Sequence, residues 1–352
     1  MKKMVLVMLL CLMTVEIWAL TGNDVQVVFN EDSINLVLRE ALKDSKLQEP
    51  ALRFFNNGFS FEGIYPFSIL FMPVADIPIK FVGDMAALNG DVLLNIAEYI
   101  QNGERQDKST TISRIRTIVQ SINEACSNAQ KPVNISAEYI PSSKYCGSVR
   151  LNLKQYSVIP AMPGLQIRKI VLEPHFFTVS SSPDTFANNN AEIQAYVGEN
   201  VINELLKLYT RPRVRNVIKV SGISLDVGDK SSRISINYLQ ADNASSNILI
   251  DVNAEVPKLN LINLLIRNYS GSAGSFDGLM AELVNLVNAN IKAMPSPVKG
   301  ERMQFTYLNR KITFNANFDD IIPLKIKPDI FHISGRNDCV SVFGQLNPKS
   351  GQ

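Results

Sequence analysis

Histidine and tryptophan are nearly absent from this chain, which has two histidines, one tryptophan and four cysteines in 352 residues. So few imidazoles and thiols leave little material for general acid–base work, a zinc site or a redox centre. Charge of one sign is also missing, with 35 Lys+Arg against 33 Asp+Glu. Affinity for a nucleic-acid backbone comes from neutralising many phosphates, so nucleic acid is not expected as a partner. After the first twenty residues no run of about 18 apolar residues occurs, and no spanning helix is expected. What is present, 46% hydrophobic and 19% charged residues, is the composition of a folded globular protein.

Catalytic motifs are missing too. His175 and His332 sit in apolar, strand-like runs and belong to no His-Glu-x-x-His motif, and the cysteines show no Cys-x-x-Cys spacing. Gly271, Gly274 and Gly278 match neither the dinucleotide nor the phosphate-loop pattern. Asp319 and Asp320 form an acidic pair with no second pair to oppose it, and no Gly-x-Ser-x-Gly elbow occurs. The expectation is a protein that is not an enzyme and carries no cofactor or metal.

The amino-terminal residues read as an export signal. Lys2 and Lys3 precede the apolar stretch Met4 to Val15, and Ala19 stands where a signal peptidase would cut. Removing residues 1–19 from the 352 leaves 333 and takes away Cys11 and Trp18. An exported, periplasmic or secreted chain is expected. In that oxidising setting Cys126, Cys146 and Cys339 remain, and proximity favours a Cys126–Cys146 disulfide. Its loop of about 20 residues would be worth on the order of 3 kcal/mol.

Strand patterns carry the rest. Asp24 to Phe29 reads as a short strand leading to Asn30, whose side chain is placed to cap a helix. Ile34, Val37, Leu38, Ala41 and Leu42 then form one apolar helical face, with Asn35, Arg39 and Glu40 opposite. Further helices are expected over 191–209, where Val197, Val201 and Leu205 share a face, over 276–294 and over 111–127. Alternating apolar residues predict strands through Val149 and Leu151, Ile223 and Leu225, Ile234 to Tyr238, Ile248 to Val252, and Ile312 to Phe318. The expected class is α+β: a long, twisted antiparallel sheet wrapped around two or three long amphipathic helices.

Two stretches bear on binding. Phe59, Phe61, Tyr65, Phe67, Ile69 and Phe71 all fall on odd positions, with Gly63 interrupting, so an extended chain presents one aromatic face. Such a face is either ordinary core or the lining of an elongated apolar cavity. Arg211, Arg213 and Arg215 alternate on a second stretch, which is either a solvated face or a contact for lipid headgroups and an anionic membrane surface.

The lead-in strand, the helix Asn30-Glu31-Asp32-Ser33-Ile34-Asn35-Leu36-Val37-Leu38, the long alternating strands and a second helix ending near Tyr209 together resemble the tubular lipid-binding superfamily, which includes bactericidal/permeability-increasing protein. The resemblance covers about Val25 to Val220 in element order, and its local motif is a polar cap followed by Ile-Asn-x-x-Leu. It implies a sheet wrapped around a long helix, with lipid in the gap between them. It implies a module over 20–220, with 221–352 a second α+β module or an extension of the same sheet; no repeat of the first half is evident in the second.

Two functions remain open at this level. One is a carrier holding a lipid or other apolar ligand among Ile34, Val37, Leu38, Phe59, Phe61, Tyr65, Phe67, Phe71, Val197, Val201 and Leu205. The other is an envelope structural or interaction protein with a closed core and no ligand. Phe67→Trp would place a reporter on the aromatic face; for the carrier its emission shifts when lipid is added, and an unchanged spectrum favours the closed core.

Overall fold

The computed structural model describes residues 25–42, 47–69, 72–127, 136–152, 169–181, 192–210, 219–239, 245–271, 275–293, 303–316, 326–336 and 338–348. The chain divides into two compact units, residues 1–193 with 324–326, and residues 194–323 with 327–352. The signal over residues 1–19 lies outside the described residues.

The first unit opens with strand β1 (Val25–Asn30) and helix α1 (Glu31–Leu42). Asn30 is the expected cap: its Oδ1 accepts from Ser33 N at 2.8 Å, and Glu31 and Asp32 follow at the positive end of the helix. Strands β2 (Gln48–Phe55), β3 (Gly58–Ile69), β4 (Met72–Leu88) and β5 (Asp91–Gln101) then run as an antiparallel meander. The turn between β4 and β5 is Asn89-Gly90, both at positive φ (52° and 87°), as a twisted two-residue hairpin requires. A second Asn-Gly turn joins β5 to the short β6 (Glu104–Arg105). Helix α2 (Lys108–Ser127) follows, capped by Asp107, and the hairpin β7 (Ser136–Ile140) and β8 (Gly147–Asn152) completes a sheet of order β2-β3-β4-β5-β8-β7. Strands β9 (Lys169–Glu173) and β10 (Phe176–Ser180) pair with each other, and β10 pairs with β1.

The second unit repeats this order. Strand β11 (Ile193–Gly198) and helix α3 (Glu199–Tyr209) precede a meander of β12 (Lys219–Asp226), β13 (Ser232–Leu239), β14 (Ser245–Lys258) and β15 (Leu261–Gly271). Helix α4 (Phe276–Ala293) leads to the hairpin β16 (Met303–Leu308) and β17 (Lys311–Ala316), in a sheet of order β12-β13-β14-β15-β17-β16. Strands β18 (Ile326–Arg336) and β19 (Cys339–Pro348) close the chain, with order β18-β19-β11. The strand, helix, four-strand meander, helix and hairpin of the first unit thus recur in the same sheet order.

The recurrence extends to side chains. In the first unit Asn35 of α1 donates to the Leu52 carbonyl at 2.8 Å and accepts from Leu52 N at 2.7 Å, while Glu31 accepts from Phe54 N at 2.7 Å. In the second, Asn203 of α3 makes the same pair with Leu225 at 3.0 and 2.5 Å, and Glu199 accepts from Val227 N at 2.8 Å. At the opposite sheet edges, Asn123 of α2 clamps Ala137 at 2.9 and 2.8 Å, and Asn288 of α4 clamps Phe305 at 2.8 and 2.9 Å. Across the middle strands Asn95 links Asp84 to Ser148, and Asn263 links Glu255 to Thr313, in matching register.

This architecture corrects the expected class. The chain is mostly β, and its helices, of 12, 20, 11 and 18 residues, lie against antiparallel sheets instead of having a sheet wound around them. The helix expected over 191–209 is helical only from Glu199; Ile193–Gly198 is strand. Even the 20-residue α2 spans only roughly 30 Å, while the 17 residues of β4 reach over roughly 55 Å, so among the described residues no helix is long enough to serve as an axis for such strands. The strands expected in the second unit do have one buried face: Ile236, Tyr238, Ile248, Ile250 and Val252 are buried, while Arg233 and Asn237 are exposed. Helix α4 covers that face with Phe276, Leu279, Met280, Leu283 and Val284.

Cys146 is a free thiol whose Sγ lies 3.1 Å from the Ala97 carbonyl, so the expected bridge to Cys126 is not formed. Cys339 is buried on β19.

Two outcomes are expected of this frame. Asn35→Ala leaves the N–H and C=O of Leu52 without their partner and lowers stability by about 2 kcal/mol, seen as an earlier urea midpoint; an unchanged midpoint removes the clamp from the account. Burial and a hydrogen bond to Asp277 push the Tyr307 phenol up to about 12, from 10.0 for an exposed one. That raised value contributes stability fully present below pH 10 and lost as pH rises to about 12. Tyr307→Phe should flatten that part of the alkaline stability profile, and an identical profile would show that the phenol ionises normally.

Candidate functional site

The site begins with the alternation of β3. Its odd residues share one face with their cross-strand partners: Phe59 with Phe54 and Gly83, Phe61 with Leu52 and Phe81, Gly63 with Ile79, and Tyr65 with Ile77. Phe81 in turn pairs with Tyr99 of β5, the two rings stacking at 4.7 Å between centroids. A bulge between Val82 and Gly83 brings β4 against β5 so closely that a Cβ on Gly83 would lie 1.9 Å from the Asn95 carbonyl oxygen. Only glycine fits there, and the bulge keeps Tyr99 on the same face as Ile96 and Leu94.

Cover over this face is uneven. Phe59 is 2% exposed and Phe61 8%, whereas Tyr65 is 38% exposed, with Ile77 and Ile79 half-buried opposite. Near the closed end Phe54 stacks on Phe177 of β10 at 5.8 Å, and Phe177 on Phe29 at 6.5 Å. The interruption at Gly63 has a packing cause: a Cβ there would meet Leu47 at 2.9 Å, so buried Leu47 sits where an aromatic residue would otherwise project. Beyond Leu47 the face opens.

Polar groups stand at the boundary between the closed and open rows. The buried Tyr99 hydroxyl donates to Gln101 Oε1 at 3.0 Å, and Arg114 of α2 is close enough to act on it electrostatically. Burial raises the Tyr99 phenol above its ordinary value, against a smaller lowering by the Arg114 cation. On the opposite face Glu62 is paired with Lys80 at 2.6 Å and Glu98 with Arg105 at 3.2 Å.

Of the residues expected to line a groove, Ile34, Val37 and Leu38 are buried on α1, which lies along β2, and Phe59 and Phe61 are buried on β3. Tyr65 stands at the open end. Phe67 is on β3 with its side chain outside the described residues, and Phe71 lies wholly outside them, as do Arg211, Arg213 and Arg215. Val197, Val201 and Leu205 belong to the second unit, Val197 on β11 and the other two on α3. The sequence reading missed Leu47, Ile77, Ile79, Phe81, Tyr99 and Arg114. Ile77, Ile79 and Phe81 carried a usable signal, since they alternate just as the β3 aromatics do.

The histidines sit elsewhere. His175, expected in a strand, occupies the β9–β10 turn at φ 71°, exposed, with Nδ1 3.9 Å from Glu31 Oε1. His332 is exposed on β18, its ring 5.4 Å from that of Phe343. Among the described residues no cluster of three His, Cys, Asp or Glu side chains could hold a metal ion.

No protein-family model matches the sequence, and no curated protein matches it significantly. Among solved structures the chain shows a weak resemblance to P47 from Clostridium botulinum A2, at 12% identity and a TM-score of 0.31 over 93% of this chain and 97% of that one. P47 of Clostridium botulinum E1 gives 11% identity and a TM-score of 0.32, over 93% and 100% of the two chains. A lipopolysaccharide binding protein gives 8% and 0.29, over 94% and 100%. Scores this low carry no argument about mechanism, and the functional reading rests on the geometry of the chain itself.

Proposed function

We propose that this chain is an exported, non-catalytic binding protein for a lipid or other apolar molecule, taken up at the open end of the aromatic face in the first unit. The observation that supports it is the change in cover along β3, from 2% exposure at Phe59 to 38% at Tyr65 on one continuous apolar face. An apolar face left partly in water gains free energy when something apolar covers it, at roughly 25 cal/mol per Å². The second unit supports the alternative role, a closed structural body, because α4 and the β13–β14 face are mutually buried. On this reading one unit binds and its counterpart serves as scaffold, with no chemistry performed by either.

Organic extraction of the purified chain followed by mass spectrometry tests the reading, with co-purified lipid near one molecule per chain expected. Tyr65→Asp and Ile77→Asp place charge on the partly exposed rows and should weaken uptake of an apolar fluorescent probe by about tenfold, with little change in melting temperature. An empty chain that takes up no probe would leave only the scaffold.

A further inference from the structure

One side chain stands where the covered rows of the aromatic face give way to the open ones. Strand β2 carries a bulge: Ala51 pairs with Glu62 and Gln48 with Ile64, so Glu49 and Pro50 together stand opposite Gly63 alone. Glu49 marks the extra residue with a left-handed backbone, at φ 48°. One extra residue reverses the alternation of a strand. Leu52 and Phe54 face the same way as their partners Phe61 and Phe59, and past the bulge it is the odd-numbered Leu47 that turns to that face. Without the bulge Leu47 would point to the opposite side of the sheet.

Gly63 supplies the socket for it. The three atoms nearest a Cβ built on Gly63 all belong to Leu47, with Cδ1 at 2.9, Cγ at 3.1 and Cδ2 at 3.2 Å. The isobutyl group thus fills the gap that the missing side chain leaves between Phe61 and Tyr65, and it is buried there. On its closed side lies Phe61, paired with Phe81, on whose ring Tyr99 stacks. On its open side lie Tyr65, Ile77 and Ile79. Rows on one face of a strand follow each other at roughly 7 Å, so a chain lying along the open rows meets Leu47 end-on before it meets an aromatic ring.

We propose that Leu47 is the end stop of the binding face, a specificity-determining residue that fixes how far the tip of a linear hydrocarbon chain reaches toward Phe61. This rests on the apolar-ligand reading above and adds to it the class of ligand and the side chain that limits its length. The socket is one residue wide, which suits the end of a straight chain better than a fused ring. Leu47→Ala takes about three carbons out of that socket, and a dry apolar void accepts an apolar ligand. Gly63→Ala does the reverse, because its new carbon pushes Leu47 out toward the open rows.

The test uses the full, delipidated chain carrying an apolar fluorescent probe, displaced by straight-chain fatty acids from decanoate to stearate, so that the head group is constant. In the parent chain the displacing affinity should rise about fourfold per methylene and level off once the open rows are filled. Leu47→Ala should move that plateau to acids about two or three carbons longer, Leu47→Val about one longer, and Gly63→Ala about one shorter. Leu346→Ala, an equal truncation at a buried position of the second unit, should leave it in place. Leu47→Ala should also melt earlier and regain more of the loss with stearate than with laurate. Circular dichroism confirms that each variant is folded, and Leu47→Val, the smaller change, carries the test if Leu47→Ala is not. An unmoved plateau in Leu47→Val and Gly63→Ala, or an equal shift in Leu346→Ala, overturns the end stop and leaves the apolar-ligand reading standing. No displacement by any acid overturns both.

Discussion

An asparagine carboxamide carries one donor face and one acceptor on the same plane, as a peptide group does, and this chain uses it as a substitute strand. A helix has no backbone hydrogen bonds to lend along its length, because each N–H is already closed on the carbonyl four residues back. Only a side chain can tie it to the free edge of a sheet. Asn35, Asn123, Asn203 and Asn288 do so at the four edge strands β2, β7, β12 and β16, each chelating both the N–H and the C=O of one residue. Aspartate would lose the donor and leucine both groups. The clamp also answers the standing hazard of an antiparallel sheet, an unpaired edge that another chain can extend.

The rest of each unit follows from where those clamps hold the helices. Because α1 and α3 are tied at a glutamate and an asparagine one turn apart, their apolar sides are fixed toward the strands they border. The same frame then has different consequences in the two units. In the second, the β13 and β14 face is matched by the apolar side of α4 and closes over a continuous core. In the first, β3 and β4 run for 12 and 17 residues, against 8 and 14 for β13 and β14, and the aromatic face continues past Leu47 into partial exposure. Length of strand, more than composition, separates a packed core from a partly exposed apolar face here.

Much of the local structure was legible. The Asn30 cap, the apolar face of α1, the alternation of β12 to β14 and the aromatic series of β3 each follow from a period of 3.6 or 2 or from one capping side chain. The internal duplication was also written in the chain, as Glu-x-x-Ile-Asn at Glu31 to Asn35 and again at Glu199 to Asn203. It stayed hidden because Asn35 reads as one more polar residue on a solvated helix face, and nothing local says that the face meets a sheet edge. The segment 193–198 reads as helix in the sequence for a related reason: Ile193 and Val197 fit both periods, and the strand wins only by pairing.

By itself, then, the amino-acid sequence determined which segments extend, which coil and which face of each is apolar, since those depend on residues a few places apart. Whether an apolar face is covered depends on residues far away in the chain: Leu47 filling the space at Gly63, Asn95 pressing on Gly83, and Arg114 arriving beside Tyr99. Those contacts form only when the strands are in register and the helices are clamped to their edges. The tertiary structure alone therefore decided that one aromatic face is core at Phe59 and open at Tyr65.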